Sequence, residues 1–181
     1  TQLSISGTLG NGGWHTANVT IGFTASDGGG VQSVSYSFDN SSWTQISNNS
    51  NSSITVTETK TIYYKATDTA GNVEDVKSEI IKIDKTAPNV SHTAVTDYLT
   101  TRDIPISAEI TDSGSGIASV VLKYRVSTDS EWKSVAMSAN GNTYSANIPD
   151  ADVPEDAVKV DYYIEVEDKA GNKTTSGSNQ I

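Results

Sequence analysis

Residues 62–74 read "IYYKATDTAGNVE", and residues 162–174 read "YYIEVEDKAGNKT". Each stretch begins with a run that we interpret as a β-strand, and each ends in an acidic turn in which Gly-Asn follows three residues after an Asp. The two Asp residues, Asp68 and Asp168, are 100 positions apart (168 − 68). A strand and turn repeated at this distance in a chain of 181 residues predict two copies of one small domain.

The repeat extends upstream of these stretches. Apolar and polar side chains alternate in residues 19–27 ("VTIGFTASD") and again in residues 104–112 ("IPISAEITD"), at an offset of 85 (112 − 27). The next segments, residues 31–38 and 117–126, also align. The offset grows from 85 here to 100 at the acidic turns, and we assign the extra residues to an insertion in the second copy at residues 148–161. Alternation of this kind predicts strands with one buried face. The residues that we expect to be buried are Val19, Ile21, Phe23, Val34, Tyr63, Ile106, Ile110, Val120 and Val166.

Short strands at these spacings, about seven in each copy, are typical of antiparallel β-sandwiches. We therefore expect an all-β chain with two tandem sandwiches, residues 1–86 and 87–181, joined by the short linker "KIDKTAPNV". Pro88 ends sheet pairing in the linker and limits its bending, because proline fixes φ and lacks an N–H. Ile181 matches Ile81, after which the first copy continues, so we expect the chain to be a piece of a longer protein.

The charge and composition exclude several classes of partner. Lys and Arg number 12 against 22 Asp and Glu, which gives a net charge of −10. Such a chain repels phosphate backbones, so nucleic acid is not an expected partner. There is no Cys, and no apolar run is long enough to predict membrane insertion. Neither His15 nor His92 has a nucleophile motif or a second His at metal-ligand spacing, so we predict surface roles for both and no enzyme activity.

The segments "SISGTLGNGGWHTANVTI", "TASDGGGVQSVSYSFDNSSW" and "IYYKATDTAGNVE", followed by "IDKTAP", resemble the bacterial and archaeal immunoglobulin-like repeats of large surface proteins and secreted polysaccharide-degrading enzymes. The resemblance covers residues 1–88 well. It is looser over residues 89–181, where the long insertion makes the copy more similar to fibronectin type III-like modules. It implies two tandem immunoglobulin-like antiparallel β-sandwiches without catalytic activity, located outside the cell or on its surface.

The aromatic residues offer candidates for packing and for sugar binding. Trp43 and Trp132 occupy matching positions, which favours packing against each sandwich. Trp14, in "NGGWHT", aligns with Leu99 and either covers the end of the core or stacks on a sugar ring. We expect the paired Tyr residues around positions 63 and 163 to be structural, because such sandwiches often bury one Tyr on this strand. The chain also contains six Asn-x-Ser/Thr sequons, which are Asn18, Asn40, Asn48, Asn51, Asn89 and Asn172.

The acidic turns allow two interpretations. In the first, each Asp only shapes its turn, with Gly71 and Gly171 supplying the positive φ. In the second, a Ca²⁺ ion lies at the interdomain junction, because the loops of an immunoglobulin-like sandwich bring distant carboxylates to one end and Ca²⁺ takes six to eight oxygen ligands. The first copy would repeat the arrangement in weaker form with Asp27, Asp68 and Asn72. The ligands predicted for the junction are Asp84, Asp112, Asp168 and Asn172.

Two functions therefore remain open. The first is a non-catalytic spacer or stalk of a larger extracellular or cell-surface protein that supports adhesion, with neighbouring domains of the same polypeptide as its partners. The second is a carbohydrate-binding accessory module of a secreted polysaccharide-degrading enzyme, with Trp14 as its ligand-binding residue. A cell-surface polysaccharide or protein is a further candidate partner. The exposure of the aromatic side chains discriminates between the two functions.

Overall fold

The computed structural model describes residues 1–46, 52–97, 102–126, 129–155, 157 and 159–181. The sequons at Asn48 and Asn51, and Leu99, fall outside these ranges. The chain forms two compact units, Thr1–Lys85 and Thr86–Ile181, which we call unit 1 and unit 2. Among the described residues, no helix combines the length and the apolar character needed to cross a bilayer.

The described part of unit 1 forms two antiparallel sheets and a 3₁₀ turn at Asn11–Gly13. Its strands are β1 (Gln2–Ser6), β2 (Val19–Thr24), β3 (Val31–Ser37), β4 (Thr44–Ile46), β5 (Ser53–Val56), β6 (Lys60–Asp68) and β7 (Lys77–Ile81). One sheet has the order β1-β2-β5, and the other has the order β4-β3-β6-β7. This is the layer arrangement of a β-sandwich, in which two sheets bury their facing sides.

Among the described residues of unit 2, the arrangement is repeated with nine strands and a 3₁₀ turn at Asp150–Asp152. Its strands are β8 (Asn89–Ser91), β9 (Ile104–Thr111), β10 (Ile117–Val126), β11 (Lys133–Ala136), β12 (Ser138–Asn140), β13 (Thr143–Ile148), β14 (Val160–Asp168), β15 (Lys173–Thr175) and β16 (Asn179–Gln180). One sheet has the order β12-β13-β9-β8. The other has the order β11-β10-β14-β15, with β16 also paired to β14. The chain is therefore all-β, with two tandem antiparallel sandwiches.

Each unit has a core of its own, built from alternate residues of its strands. In β2, Val19, Ile21 and Phe23 are at most 1% exposed, and Phe23 stacks on Tyr36 with ring centroids 5.8 Å apart. In unit 2, β9 and β14 alternate buried and outward-facing residues along their whole length. Most of the predicted core is confirmed. The predicted core residues that are buried are Val19, Ile21, Phe23, Val34, Ile106, Ile110, Val120 and Val166.

The prediction for Tyr63 is wrong. Ile62 is fully buried in the core of unit 1, and Tyr63 is half-buried on the opposite face of β6. Successive side chains of a strand point to opposite faces, so the adjacent Ile62 and Tyr63 cannot both enter the core. In unit 2 the Tyr162–Tyr163 pair follows the same rule. Tyr162 is 0% exposed and Tyr163 faces outward.

Tyr162 has a polar network around its hydroxyl group, in agreement with the predicted structural role. The hydroxyl accepts a hydrogen bond from the Val95 N–H at 2.9 Å and lies 3.0 Å from Nε2 of His92. Nδ1 of His92 lies 2.7 Å from the carbonyl oxygen of Ser107. A carbonyl only accepts, so Nδ1 carries the proton and Nε2 accepts from the Tyr162 hydroxyl. Burial raises the pKa of Tyr162.

The predicted surface role of His92 is wrong, because its imidazole is half-buried and forms a hydrogen bond through each ring nitrogen.

We expect Phe23→Ala to destabilise unit 1 by about 3 to 5 kcal/mol, because it removes a buried ring and leaves a cavity. The melting transition of unit 2 should stay in place, since its core contains other residues. Differential scanning calorimetry of the whole chain measures both transitions. Thr20→Ala, on the exposed face of the same strand, is the matched control. A variant whose two transitions both equal those of the wild type would refute the assigned core.

We expect Tyr162→Phe to destabilise unit 2 by about 1 to 3 kcal/mol, because the Val95 N–H loses its acceptor inside the protein. Tyr163→Phe removes a hydroxyl from the outward-facing neighbour on the same strand and should change the free energy of unfolding little. Urea denaturation followed by fluorescence measures both values. Equal effects of the two substitutions would contradict the role assigned to the Tyr162 hydroxyl.

Candidate functional site

The repeated acidic turn of unit 1 follows β6 and is held by the side chain of Asp68. Its Oδ1 accepts hydrogen bonds from the N–H groups of Ala70 (2.9 Å) and Asn72 (2.8 Å), and its Oδ2 accepts one from Nδ2 of Asn72 (2.7 Å). The hydrogen bonds from the Asn72 side chain and backbone lower the pKa of Asp68. Gly71 has a φ of 91°, which a residue with a side chain rarely adopts. These contacts shape the turn.

The turn of unit 2 has the same internal bonds in a buried setting. Oδ1 and Oδ2 of Asp168 accept hydrogen bonds from the N–H and Nδ2 of Asn172, both at 2.8 Å. Asp168 is 0% exposed. The Ala170 N–H adds a hydrogen bond to Oγ of the buried Ser115 at 3.0 Å. The turn of unit 2 therefore encloses a carboxylate that its counterpart in unit 1 leaves half-exposed.

Asp112 brings a second carboxylate close to Asp168 within unit 2. Oδ2 of Asp112 accepts hydrogen bonds from the N–H groups of Gly114 (3.0 Å) and Gly116 (2.7 Å). Its Oδ1 is buried and has no hydrogen-bond partner among the described residues. A carboxylate oxygen of Asp112 and one of Asp168 lie within 4.8 Å of each other. Two carboxylates at this distance repel each other unless a positive charge lies between them.

The other two predicted metal ligands have different surroundings. Asp84 belongs to unit 1, where it is 4% exposed and its N–H donates a hydrogen bond to the carbonyl oxygen of His15 at 2.9 Å. Asn172 presents its amide nitrogen to Asp168, and an amide nitrogen is a donor that does not bind a cation. Its Nδ2 therefore acts as a partner of the carboxylate, and the predicted role of Asn172 at a metal ion stays a prediction.

The corresponding residues of unit 1 line an open cavity of about 300 Å³. Asp27, Asp68, Asn72 and Glu74 contribute to its wall. Oδ2 of Asp27 accepts a hydrogen bond from the Gly29 N–H at 2.8 Å, so it shapes its own loop in the manner of Asp112. Unit 1 therefore has the acidic residues that the sequence predicted, but in a setting that is open to water.

The three Trp residues lie outside both cores. Trp14 is half-buried next to the 3₁₀ turn, and Nζ of Lys82 lies 5.9 Å from the centre of its ring. Trp43 directly precedes β4 and has Nζ of Lys65, on β6, over its ring, and Trp132 directly precedes β11 and has the guanidinium of Arg125, on β10, over its ring. They pack against the outer faces of the sandwiches and not between the sheets. The sequence did not show whether these rings enter the core or cover the outer face, because a shift of one residue along a strand moves a side chain from one face to the other.

The fold and the separate cores define the class of the protein, which is a tandem of immunoglobulin-like and fibronectin type III-like β-sandwiches. Residues 94–181 match the family model of the bacterial Ig-like domain. Unit 2 is therefore similar to bacterial immunoglobulin-like domains. The match lies on the copy for which the quoted motifs gave the looser resemblance. A comparison with curated proteins finds no match.

Several solved structures are similar to the chain at low sequence identity. The first is a tetra-tandem repeat in the extending region of a large adhesion protein, at 16% identity and a TM-score of 0.44; the match covers 99% of this chain and 47% of that one. The fibronectin(III)-like modules of Clostridium thermocellum CbhA are 18% identical, with coverages of 99% and 93% and a TM-score of 0.42. A two-domain fibronectin type III segment of chicken tenascin is 11% identical, with coverages of 100% and 97% and a TM-score of 0.45. At these values the similarities carry no information about ligands or partners.

Proposed function

We propose that the chain is a non-catalytic spacer in a larger extracellular or cell-surface protein. The observation that carries this proposal is that each unit closes its own core, while the chain passes directly from β7 of one unit to β8 of the next. Domains that fold separately and follow one another along a chain can be added or removed to set the length of a protein. The match of residues 94–181 to a bacterial immunoglobulin-like domain supports this role, with the neighbouring domains of the same polypeptide as partners.

Force spectroscopy tests the spacer role, because a spacer must unfold unit by unit under load. We expect two separate unfolding events, each of which lengthens the chain by roughly 25 to 35 nm, the extended length of about 90 residues. Phe23→Ala should lower the force of one event only, and Thr20→Ala should lower neither. A single event that releases both units together would contradict a spacer of independent modules.

We also infer that Asp112 and Asp168 contribute ligands to a Ca²⁺ ion. The support for this proposal is the buried Oδ1 of Asp112, which no described donor reaches, close to the fully buried carboxylate of Asp168. Ca²⁺ binds carboxylate oxygens in irregular geometries, whereas Mg²⁺ demands a near-octahedral set. The assignment of Asp84 to the same ion, made from the sequence, stays a prediction. Asn172 supports the site through its hydrogen bond to Asp168.

Millimolar CaCl₂ should raise the melting temperature of unit 2 by about 4 °C or more relative to EDTA, because an ion that binds only the folded state stabilises it by mass action. MgCl₂ should have a smaller effect. Asp168→Asn and Asp112→Asn should each abolish the Ca²⁺-dependent shift, and Asp84→Asn tests the third assigned ligand. Asp39→Asn, at an exposed turn of unit 1, is the matched control. Identical melting curves in CaCl₂ and EDTA would leave the acidic residues as turn formers only.

The alternative function is a carbohydrate-binding accessory module. Trp14, the residue chosen from the sequence, is half-buried beside Lys82, so part of its ring faces solvent. Aromatic rings combine a flat apolar face with polar edges, which suits the stacking of a sugar ring. Retardation of the chain by a soluble polysaccharide in a native gel would favour this function, and loss of the retardation in Trp14→Ala would assign the contact to Trp14.

A further inference from the structure

The last residues of unit 1 pair with the loop that joins β1 to β2. They are residues 82–85, which follow the edge strand β7. The His15 N–H donates a hydrogen bond to the carbonyl oxygen of Lys82, and the Asp84 N–H donates one to the carbonyl oxygen of His15, both at 2.9 Å. His15 and Ile83 therefore form a parallel bridge, in which the two segments run in the same direction.

The hydroxyl group of Thr59 holds Ile83 as well. Thr59 lies between β5 and β6. Its Oγ1 accepts a hydrogen bond from the Ile83 N–H at 2.9 Å and donates one to the Ile83 carbonyl oxygen at 3.0 Å. A hydroxyl group has one donor hydrogen and two acceptor lone pairs, so one side chain engages both backbone groups of Ile83. We call His15, Thr59 and residues 82–84 the clip.

The loop that carries His15 is itself attached to the sandwich. An ideal Cβ on Gly7 would lie 3.1 Å from Nδ1 of His15 and 3.1 Å from Cγ2 of Val19, so the His15 ring lies directly against the backbone that follows β1. Just beyond the clip, Nζ of Lys85 donates a hydrogen bond to Oδ1 of Asn18, the residue before β2, at 3.0 Å. The clip therefore joins the end of unit 1 to the region between its first two strands.

The strand before the clip, β7, has few other contacts that would resist a pull. It lies at the edge of its sheet, its first four residues are exposed, and only Ile81 is buried. β7 pairs antiparallel with β6, with Ile81 opposite Lys60. Tension that leaves unit 1 at Lys85 would reach β7 at Ile81, and the pairs with β6 would then open one after another. The clip lies between Lys85 and Ile81, so it must open before β7 does.

The parallel arrangement makes the contacts of the clip share the load. A pull on the start of the chain and on Lys85 slides the His15 segment past residues 82–84, because the two segments run in the same direction. The two backbone hydrogen bonds of His15 and the two hydrogen bonds of Thr59 then resist together. Forced unfolding is governed by the unfolding rate, so contacts that must break first decide the resistance of the domain.

We propose that the clip is the element of unit 1 that bears mechanical load, with the hydroxyl group of Thr59 as its central contact. This proposal rests on the spacer function and names the residues through which the spacer resists tension. It also makes a prediction that the spacer function alone does not make. Loss of one hydroxyl group outside the core should weaken unit 1 under load.

Unfolding of single molecules of the whole chain at constant force, with handles at both ends, tests the proposal. Thr59→Val keeps the shape of the side chain and removes the hydroxyl group. It should raise the unfolding rate of unit 1 under load by about tenfold, as expected for the loss of hydrogen bonds of ordinary strength. Thr59→Ser keeps the hydroxyl group and should unfold at the wild-type rate.

The two unfolding events must be assigned to their units. Gly141 lies in the exposed turn between β12 and β13, and a side chain there would meet no other atom within 4 Å. An insertion of about ten Gly and Ser residues after Gly141 should lengthen the event of unit 2 by roughly 3.5 nm. The event that keeps its length belongs to unit 1.

Ser37→Ala is the matched control. Oγ of Ser37 also makes two hydrogen bonds in unit 1, since it donates to Oδ1 of Asp39 at 2.8 Å and accepts from the Asp39 N–H at 3.2 Å. These bonds join residues only two positions apart and lie outside the clip. Ser37→Ala should therefore leave the unfolding rate under load unchanged, even where it lowers the melting temperature.

A change in the direction of pull separates mechanical resistance from general stability. The chain has no Cys, so Gln45→Cys, at an exposed position of β4, provides a single attachment point for a handle. With handles at the start of the chain and at residue 45, residues 82–85 carry no load. Thr59→Val should then leave the unfolding rate of unit 1 unchanged.

The possible results distinguish the clip from the spacer function. An unchanged rate in Thr59→Val, with two separate unfolding events still present, would overturn the clip and leave the spacer standing. An equal increase in both directions of pull would make Thr59 a contributor to general stability and would also overturn the clip. A single event that releases both units would contradict the spacer and the clip together.

Discussion

The structure depends on the burial of one side of two long paired strands in each unit. In unit 2, Leu122 of β10 pairs with Ile164 of β14, and both are fully buried against the opposite sheet. In unit 1, the buried Val34 of β3 pairs with Ala66 of β6, which is partly buried and packs against the same core. Because side chains alternate along a strand, this burial also decides what the outer face displays. The set of side chains on each outer face is therefore a consequence of the register that the cores impose.

The repeated turn shows how one local sequence serves two environments. In both units an Asp accepts hydrogen bonds from the Asn four residues later, so the turn forms from its own atoms. Only in unit 2 is that Asp fully buried, with the carboxylate of Asp112 nearby. A buried carboxylate needs hydrogen bonds or a counter-charge to offset the loss of water. The difference between a simple turn and a candidate cation site is therefore one of burial and not of local sequence.

The proposed functions use different parts of the same scaffold. The separate cores support the proposed spacer, the loop ends supply the carboxylates of the proposed Ca²⁺ ion, and Trp14 supplies the aromatic ring of the alternative carbohydrate-binding function. These regions share few residues, so a domain of this fold can gain or lose a ligand without loss of its core.

The sequence by itself determined the all-β fold class, the tandem repeat and most of the core, because alternation in β2 and β9 is a local pattern that any sandwich must satisfy. It also determined the turn at Asp168, whose hydrogen bonds span only four residues. Tertiary structure alone decided which residue of the Ile62–Tyr63 pair enters the core, how deeply Asp168 is buried, and that His92 meets Tyr162. The same holds for the contacts of Trp132, which directly precedes β11, with Arg125 on β10 and Tyr163 on β14. Such contacts join residues far apart in the chain, and no local pattern specifies which strands become neighbours.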